Sequence, residues 1–348
     1  MSPHTNSLIG STDIGFSDVI MDESTKNSIK HLVSMASFPT AGRSSRLLEQ
    51  LRISGMLFYG PPGTGKSHLC RAIANDSKQR MISISAADIE SKWVGESEQN
   101  IQAVFSLARK ISPSIIFIDE ADALFYRRSP SDRSWERKLL NQILQEMDGI
   151  KSEKVSVLVI ASTNRPMDLD EAFLRRLPHK VRFSLPSRLQ RREILKLFLL
   201  DEELDPKVSL DALADATNDF SGSDLRSLCS QAALAWSTEH MAHDGIMSEE
   251  SEIAAKLVLT MQHFAIALSH TSSTAPLTLT KELDSWAAKF NNGSNSLGKL
   301  GPASAEPTTQ SGSKQVSNWL AKFGETPAGK PEIESFIDRR MLKQRHET

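Results

Sequence analysis

The sequence predicts an α/β protein: a doubly wound, mainly parallel sheet domain followed by a smaller α-helical domain. Three observations carry this. Four short aliphatic runs, "MLFYG" (56–60), "MISISA" (81–86), "SIIFIDE" (114–120) and "VSVLVIAST" (155–163), lack polar alternation and suit strands buried on both faces. Helix-patterned segments separate them, a succession that lays helices over both faces of a parallel sheet. After Pro186 the strand signal stops and helical patterns continue alone.

Each element has its own warrant. "HLCRAIAND" (68–76) follows the first strand as a helix. In "SEQNIQAVFSLARK" (97–110), Ile101, Val104, Phe105 and Ala108 fall on one helical face. "WERKLLNQILQEMDG" (135–149) repeats that pattern, with Gly149 as its expected stop. Four helices are expected beyond Pro186, within 187–204, 209–217, 221–241 and 260–271, and a further one in "TKELDSWAAKFN" (280–291). Residues 292–316 are rich in Gly, Ser and Pro and read as a flexible linker, and 331–345 as a short amphipathic helix. The expected organisation is a tail (1–12), the α/β domain (13–186), the helical domain (187–272), a C-terminal helix (273–291) and a linker with a short helical tail (292–348).

Composition narrows the class of function. The chain has 348 residues, 39% hydrophobic and 24% charged, an ordinary globular balance. A formal net charge of −2 gives no electrostatic case for nucleic acid as the main partner. Cys70 and Cys229 lie far apart and read as buried thiols in a reducing compartment. The N-terminus lacks the charged and apolar regions of a signal peptide, and no aliphatic run approaches the roughly 20 residues of a membrane helix. A soluble, cytoplasmic chain is expected, reaching a membrane only through a partner.

"GPPGTGKS" (60–67) carries the chemistry. It satisfies G-x-x-x-x-G-K-[ST] between a strand and a helix, the setting in which that motif cradles phosphate. Gly60, Gly63 and Gly65 allow backbone amides to converge on phosphate oxygens, within a stretch that also includes Pro61, Pro62, Thr64 and His68. Lys66 is placed for the β and γ phosphates, and Ser67 for Mg²⁺. "IIFIDE" (115–120) ends a hydrophobic strand in two carboxylates. Asp119 is expected to hold Mg²⁺ through water and Glu120 to polarise the attacking water. Asn164, in "VIASTNRP" (159–166), is placed to hydrogen-bond the γ phosphate and that water. The expected cofactors are ATP and Mg²⁺.

With "DEAFLRRLP" (170–178) and "DFSGSDLRSLCSQAAL" (219–234), these motifs stand in the order and spacing of an AAA-type ATPase module, which the chain resembles over roughly residues 13–290. "KWVGESE" and "AFLRRLPHKVRFSLP" resemble the meiotic clade of katanin, spastin, fidgetin, the ESCRT-disassembly ATPase and the mitochondrial outer-membrane extractase, and lean towards the last. The resemblance implies a P-loop NTPase sheet with a helical lid. It also implies that Asn164 is the γ-phosphate sensor and that Arg175 and Arg176 are arginine fingers acting on a neighbour's ATP. Gly222 and Ser223 match the lid segment near the adenine, and Asp18, Val19 and Ile20 the N-terminal segment flanking the base. His179 is given no catalytic role.

Fingers supplied in trans imply a homo-oligomer closing head to tail, a hexameric ring by the resemblance. The same layout makes Lys92, Trp93 and Val94 a pore loop, where the Trp93 indole offers a rigid apolar face to a threaded protein substrate. An ATPase that threads or remodels protein substrates is therefore expected, in membrane-protein extraction or complex disassembly, with peripheral association with the mitochondrial outer membrane. The module begins about 20 residues from Met1, so an adaptor or the C-terminal tail is expected to recruit substrate. The competing readings are an ATP-binding scaffold with little turnover and a P-loop kinase or switch. Glu120 and the paired arginines argue against the last.

Overall fold

A computed structural model of the chain describes residues 14–37, 53–89, 96–127, 134–152, 155–243 and 257–291. The tail 1–12, the segment Lys92–Val94 with Trp93, and the linker and helix expected beyond residue 291 lie outside the described residues. Contacts divide the chain into two units: one runs up to Leu185 and resumes at Ala275, the other spans Pro186–Thr274.

The first unit is built on five parallel strands, β1 (Gly55–Tyr59), β2 (Arg80–Ile84), β3 (Ser114–Ile118), β4 (Val157–Thr163) and β5 (His179–Arg182), in the order β2-β3-β4-β1-β5. Their side chains alternate between two cores. Met56, Phe58, Ile115, Phe117, Leu158 and Ile160 face one side, where helices α1 (Glu23–Ser37) and α2 (Lys66–Asp76) cover them with Ile29, Leu32, Leu69 and Ile73. Leu57, Tyr59, Ile116, Ile118, Val159 and Ala161 face the other, under Ile101, Phe105, Leu139, Ile143 and Met147. Those residues come from the helices Glu96–Lys110 and Ser134–Ser152. Burial on both faces is why the strand sequences read as unbroken apolar runs.

The helix Leu277–Asn291 belongs to this unit and places Leu283 and Trp286 in the second core. Trp286 meets the Tyr59 ring edge-on at 4.9 Å, and Arg182 pairs with Asp284 of the same helix. Burial raises the Tyr59 phenol above its ordinary pKa. The ring therefore acts here as apolar packing at the residue before Gly60.

Three features of this unit differ from the sequence reading. The helix expected to stop at Gly149 continues to Ser152, because the fully buried Ile150 extends its apolar stripe and packing overrides the roughly 1 kcal/mol propensity cost of glycine. The helix Glu23–Ser37 had no counterpart there; the Asp22 carboxylate accepts from Thr25 N at 3.2 Å to begin it. Strand β5, "HKVR", has one buried residue, Val181, so its sequence carries no apolar run.

The second unit has four helices among its described residues, Arg188–Phe198, Leu210–Ala216, Gly222–His243 and Met261–His270, around Leu195, Leu213, Leu225, Leu228 and Phe264. Ser187 and Gln190 form a capping box at the first of them, and Ser209 caps the second. Two short strands not foreseen from the sequence, Glu203–Leu204 and Val258–Leu259, pair in parallel. No helix among the described residues is long and apolar enough to cross a membrane.

Replacing Trp286 by Ala removes a 5%-exposed ring and its contact with Tyr59. The variant is expected to lose about 3–5 kcal/mol, seen as a lower urea midpoint, whereas exposed Lys289→Ala leaves the midpoint unchanged.

Candidate nucleotide site

The loop 60–65 joins β1 to α2 by a backbone path that only glycine takes easily. Gly60 has φ 155°, and a Cβ there would lie 2.1 Å from the Phe183 carbonyl oxygen. Gly65 stands in open space, so its φ of 91° is what calls for glycine. Thr64 Oγ1 donates to Pro61 O at 2.8 Å, and Leu69 N donates to Gly65 O at 2.9 Å to start the helix. The amides of Lys66, Ser67 and His68 precede that first intrahelical bond, at the positive end of the helix, where an anion is favoured. Pro62, Gly63, Thr64, Gly65, Ser67 and His68 are half-buried, and Pro61 is buried.

Lys66 is 7% exposed, and its Nζ donates to Gly60 O at 3.0 Å and Pro61 O at 2.8 Å. Burial lowers its pKa to about 8, against the opposing pull of Asp119 and Asp122. The lysine is thus a charge held at a desolvation cost beside two carboxylates, a cost that a phosphate would offset.

β4 lies between β1 and β3, and this brings Asp119 to the loop. Ile118 is opposite Ala161, so the next residue, Asp119, emerges beside Ser162. Asp119 Oδ2 accepts from Ser67 Oγ at 2.7 Å. Its Oδ1 accepts from Ser162 Oγ and from Glu120 N, the latter at 3.0 Å. Glu120 is exposed and has left-handed backbone angles, φ 50° and ψ 47°, which turn the chain sharply at the strand end. Thr163 Oγ1 donates to Asp122 at 2.6 Å and accepts from Arg165 N at 2.9 Å, bracketing half-buried Asn164. The sequence reading gave no role to Ser162, Thr163 or Asp122. Its available signal was two consecutive hydroxyls ending a strand beside one that ends in carboxylates.

The remaining candidates each make contacts of their own. Asp18 closes a short turn, its carboxylate accepting from Gly15 N at 2.8 Å and from Ser17 Oγ at 3.1 Å. Val19 is buried in the first core, its carbonyl accepts from Lys26 Nζ at 3.1 Å, and Ile20 is half-buried. The Asp18 and Val19 side chains therefore serve the fold. Arg176 is gripped bidentately by Asp148, at 3.2 and 2.8 Å, and that partner raises its pKa. Arg175 is exposed and, with Arg127, Asp170, Glu171 and Ala172, lines an open hollow of about 400 Å³. In the second unit, Gly222 and Ser223 open a long helix. Ser221 and Asp224 bond reciprocally there, at 2.8 and 3.3 Å, and Thr274 Oγ1 donates to Asp224 at 2.7 Å.

The donor set fits a hard cation. Ser67 spends its proton on Asp119, so its oxygen lone pairs remain available, and hydroxyl and carboxylate oxygens suit Mg²⁺. Among the described residues no cluster of three or more His, Cys, Asp or Glu could hold a metal unaided. A cation here would share its shell with phosphate oxygens and water, the usual habit of Mg²⁺.

A glycine loop leading from a parallel strand into a helix, with a carboxylate from a neighbouring strand at its hydroxyl, defines an α/β nucleotide-binding protein of the P-loop class. The sequence matches the family described as "ATPase family associated with various cellular activities (AAA)" over residues 56–185 and the "AAA+ lid domain" over 207–251. Two crystal structures of the FIGL-1 AAA domain are similar to it with a TM-score of 0.68, at 30% identity for one and 29% for the other, which is in complex with ADP. The match covers 82% of this chain and 92% and 94% of those chains. The chain belongs to the AAA ATPase family. It is 43% identical over 191 residues to the outer mitochondrial transmembrane helix translocase of Danio rerio, covering 55% of this chain and 52% of that one. The corresponding protein of Homo sapiens is 42% identical over 209 residues, 60% of this chain and 56% of the other. A spastin homolog of Caenorhabditis elegans is 37% identical over 233 residues, 65% of this chain and 44% of the other. The chain spans about half the length of the curated relatives it matches. The meiotic-clade resemblance read from the motifs agrees with these matches.

Lys66 gives the site a pH signature. Its folded pKa of about 8 lies below the ordinary 10.5, so between those values the unfolded chain keeps a proton that the folded chain has released. Stability therefore rises with pH through that window and is lowest below it. In nucleotide-free protein, the urea midpoint of wild type relative to Lys66→Met is expected to climb between pH 8 and 10. A difference that stays flat across that range would assign Lys66 an ordinary pKa.

Proposed function

We propose that this chain hydrolyses ATP as one subunit of a ring and uses the turnover to thread or remodel protein substrates. The observation that carries the reading is the 2.7 Å contact between Ser67 and Asp119. It unites the loop that would bind phosphate with the strand end that presents Glu120. In this reading the loop amides and Lys66 would hold the phosphates, and Ser67 and Asp119 would hold Mg²⁺, which would supply neutralisation of phosphate charge. Glu120, exposed beyond Asp119, polarises the attacking water, and half-buried Asn164 positions it.

Arginine fingers would come from a neighbour. Asp148 already holds Arg176, so the role falls first to exposed Arg175, whose guanidinium would stabilise charge on the transferring phosphoryl group. Hydrolysis would then depend on assembly, and a head-to-tail contact of this kind closes into a ring, six-membered by the family resemblance. The segment Asp18–Ile20 would flank the base.

The substrate class follows from the relatives' names, which describe translocation of transmembrane helices at the outer mitochondrial membrane and spastin homologs. Extraction of membrane proteins at that membrane is the reading these names support, and the chain would work there from the cytoplasmic face, with an adaptor or its C-terminal tail recruiting substrate. Trp93, with Lys92 and Val94, would grip the threaded chain.

Two experiments test this. Glu120→Gln is expected to keep ATP binding while turnover falls by about 10²–10⁴-fold, the usual contribution of a general base. Crosslinking that arrested form should recover membrane-anchored proteins, and wild-type turnover no faster than the variant's would leave an ATP-binding scaffold instead. Trp93→Ala is expected to retain ATP turnover and lose unfolding of a fluorescent substrate. Unchanged unfolding would remove Trp93 from substrate contact.

A further inference from the structure

Asp119 divides its two oxygens between different duties. Oδ2 faces Ser67, the hydroxyl of the phosphate loop, whereas Oδ1 accepts twice from the protein's own scaffold, from Ser162 Oγ and Glu120 N. The amide bond is a local consequence of the turn after β3. The hydroxyl bond comes from a different strand. Ser162 is 1% exposed and stands on β4 between the two strands that matter, paired with Phe58 of β1 and placed beside Asp119, the residue after β3. Two other buried hydroxyls donate to main-chain carbonyls, Ser114 to Ala108 O at 2.8 Å and Thr217 to Leu213 O at 2.8 Å, whereas Thr163 and Ser221 donate to the carboxylates of Asp122 and Asp224, at 2.6 and 2.8 Å. The Ser162 hydroxyl donates to the carboxylate that also receives Ser67, a charge-assisted bond that fixes the rotation of the group receiving it.

We infer that Ser162 is a positioning residue for the metal centre: it pins Oδ1 of Asp119 so that Oδ2 stays turned towards Ser67 and the cation-binding position. Released from Ser162, the carboxylate keeps only the Glu120 amide on Oδ1 and can rotate about its χ2, which varies broadly in Asp. Ser67 then loses a fixed acceptor for its proton, and its lone pairs lose their direction. Thr163 reinforces the arrangement from the next position by holding Asp122 at 2.6 Å. The inference rests on the reading of Ser67 and Asp119 as the Mg²⁺ residues. Its distinct content is that the metal-dependent part of nucleotide binding, and not the phosphate loop itself, depends on the Ser162 hydroxyl.

The test separates those two parts. In full-length protein carrying Glu120→Gln, ATP affinity is measured by calorimetry in EDTA and again with saturating Mg²⁺, and the ratio is the gain due to metal. Adding Ser162→Ala is expected to leave the EDTA affinity unchanged and to cut the gain about tenfold or more, the usual cost of losing a residue that orients a metal ligand. Ser162→Thr, which keeps the hydroxyl, should restore it. Ser162→Cys keeps the volume and loses the strong donor, and it repeats the test if the alanine variant melts early. Ser67→Ala and Asp119→Asn serve as controls. If the controls lose the gain while Ser162→Ala and Ser162→Cys keep it, the positioning role is overturned. If the controls keep it as well, the metal reading of Ser67 and Asp119 falls, and the inference with it.

Discussion

The contact between Ser67 and Asp119 depends on which strand lies between their own. β1 delivers the phosphate loop and β3 delivers the carboxylate, and β4 separates them, in parallel register with both. Parallel pairing puts all three carboxyl ends on one edge, where α/β sheets collect their ligand-binding groups. The spacing of one intervening strand lets a serine at the start of a helix reach an aspartate two strands away. Had β4 been an edge strand, β1 and β3 would be neighbours and the two side chains would crowd rather than meet across a gap. Both apolar cores serve this placement, because each anchors the same three central strands from opposite sides.

The unfavourable conformations and charges gather where that edge turns into loop. A glycine backs against Phe183, a glutamate takes left-handed angles, and a lysine is buried with its amine on two carbonyls. Strain of this kind persists only where surrounding structure over-determines it. Here the surroundings are Tyr59, wedged against Trp286 just before Gly60, and the strand core behind Asp119. Stability is thus spent at one place and supplied by the apolar cores on the two faces of the sheet.

The parts legible in the sequence are those whose cause is local. The phosphate loop needs glycines at fixed positions, the central strands need unbroken apolar runs, and the helices of the second unit need a stripe and a cap. Each of these is written within a dozen residues. What escaped reading has its cause elsewhere in the chain. The helix running past Gly149 depends on a core waiting for Ile150, and β5 is a strand because β1 offers it an edge. The Ser162 hydroxyl became meaningful only once register set it beside Asp119. Likewise nothing near Arg176 predicts Asp148, which is 28 residues away.

That last pairing bears on how the proposed ring would work. Arg175 and Arg176 are neighbours on a six-residue helix, and successive side chains on a helix diverge by about 100°. The two side chains therefore leave the helix in different directions, and they are not equivalent in a single protomer. Asp148 makes the difference definite by taking Arg176 in a two-point grip that a lysine could not reproduce. The pair also ties the helix Glu171–Arg176 to the helix Ser134–Ser152, so the platform under Arg175 is braced before any partner arrives. A finger on a braced platform loses less freedom on reaching a neighbour's phosphate than one on a loose loop would. On the proposed reading, Arg176 contributes to catalysis by holding still, and Arg175 by reaching out.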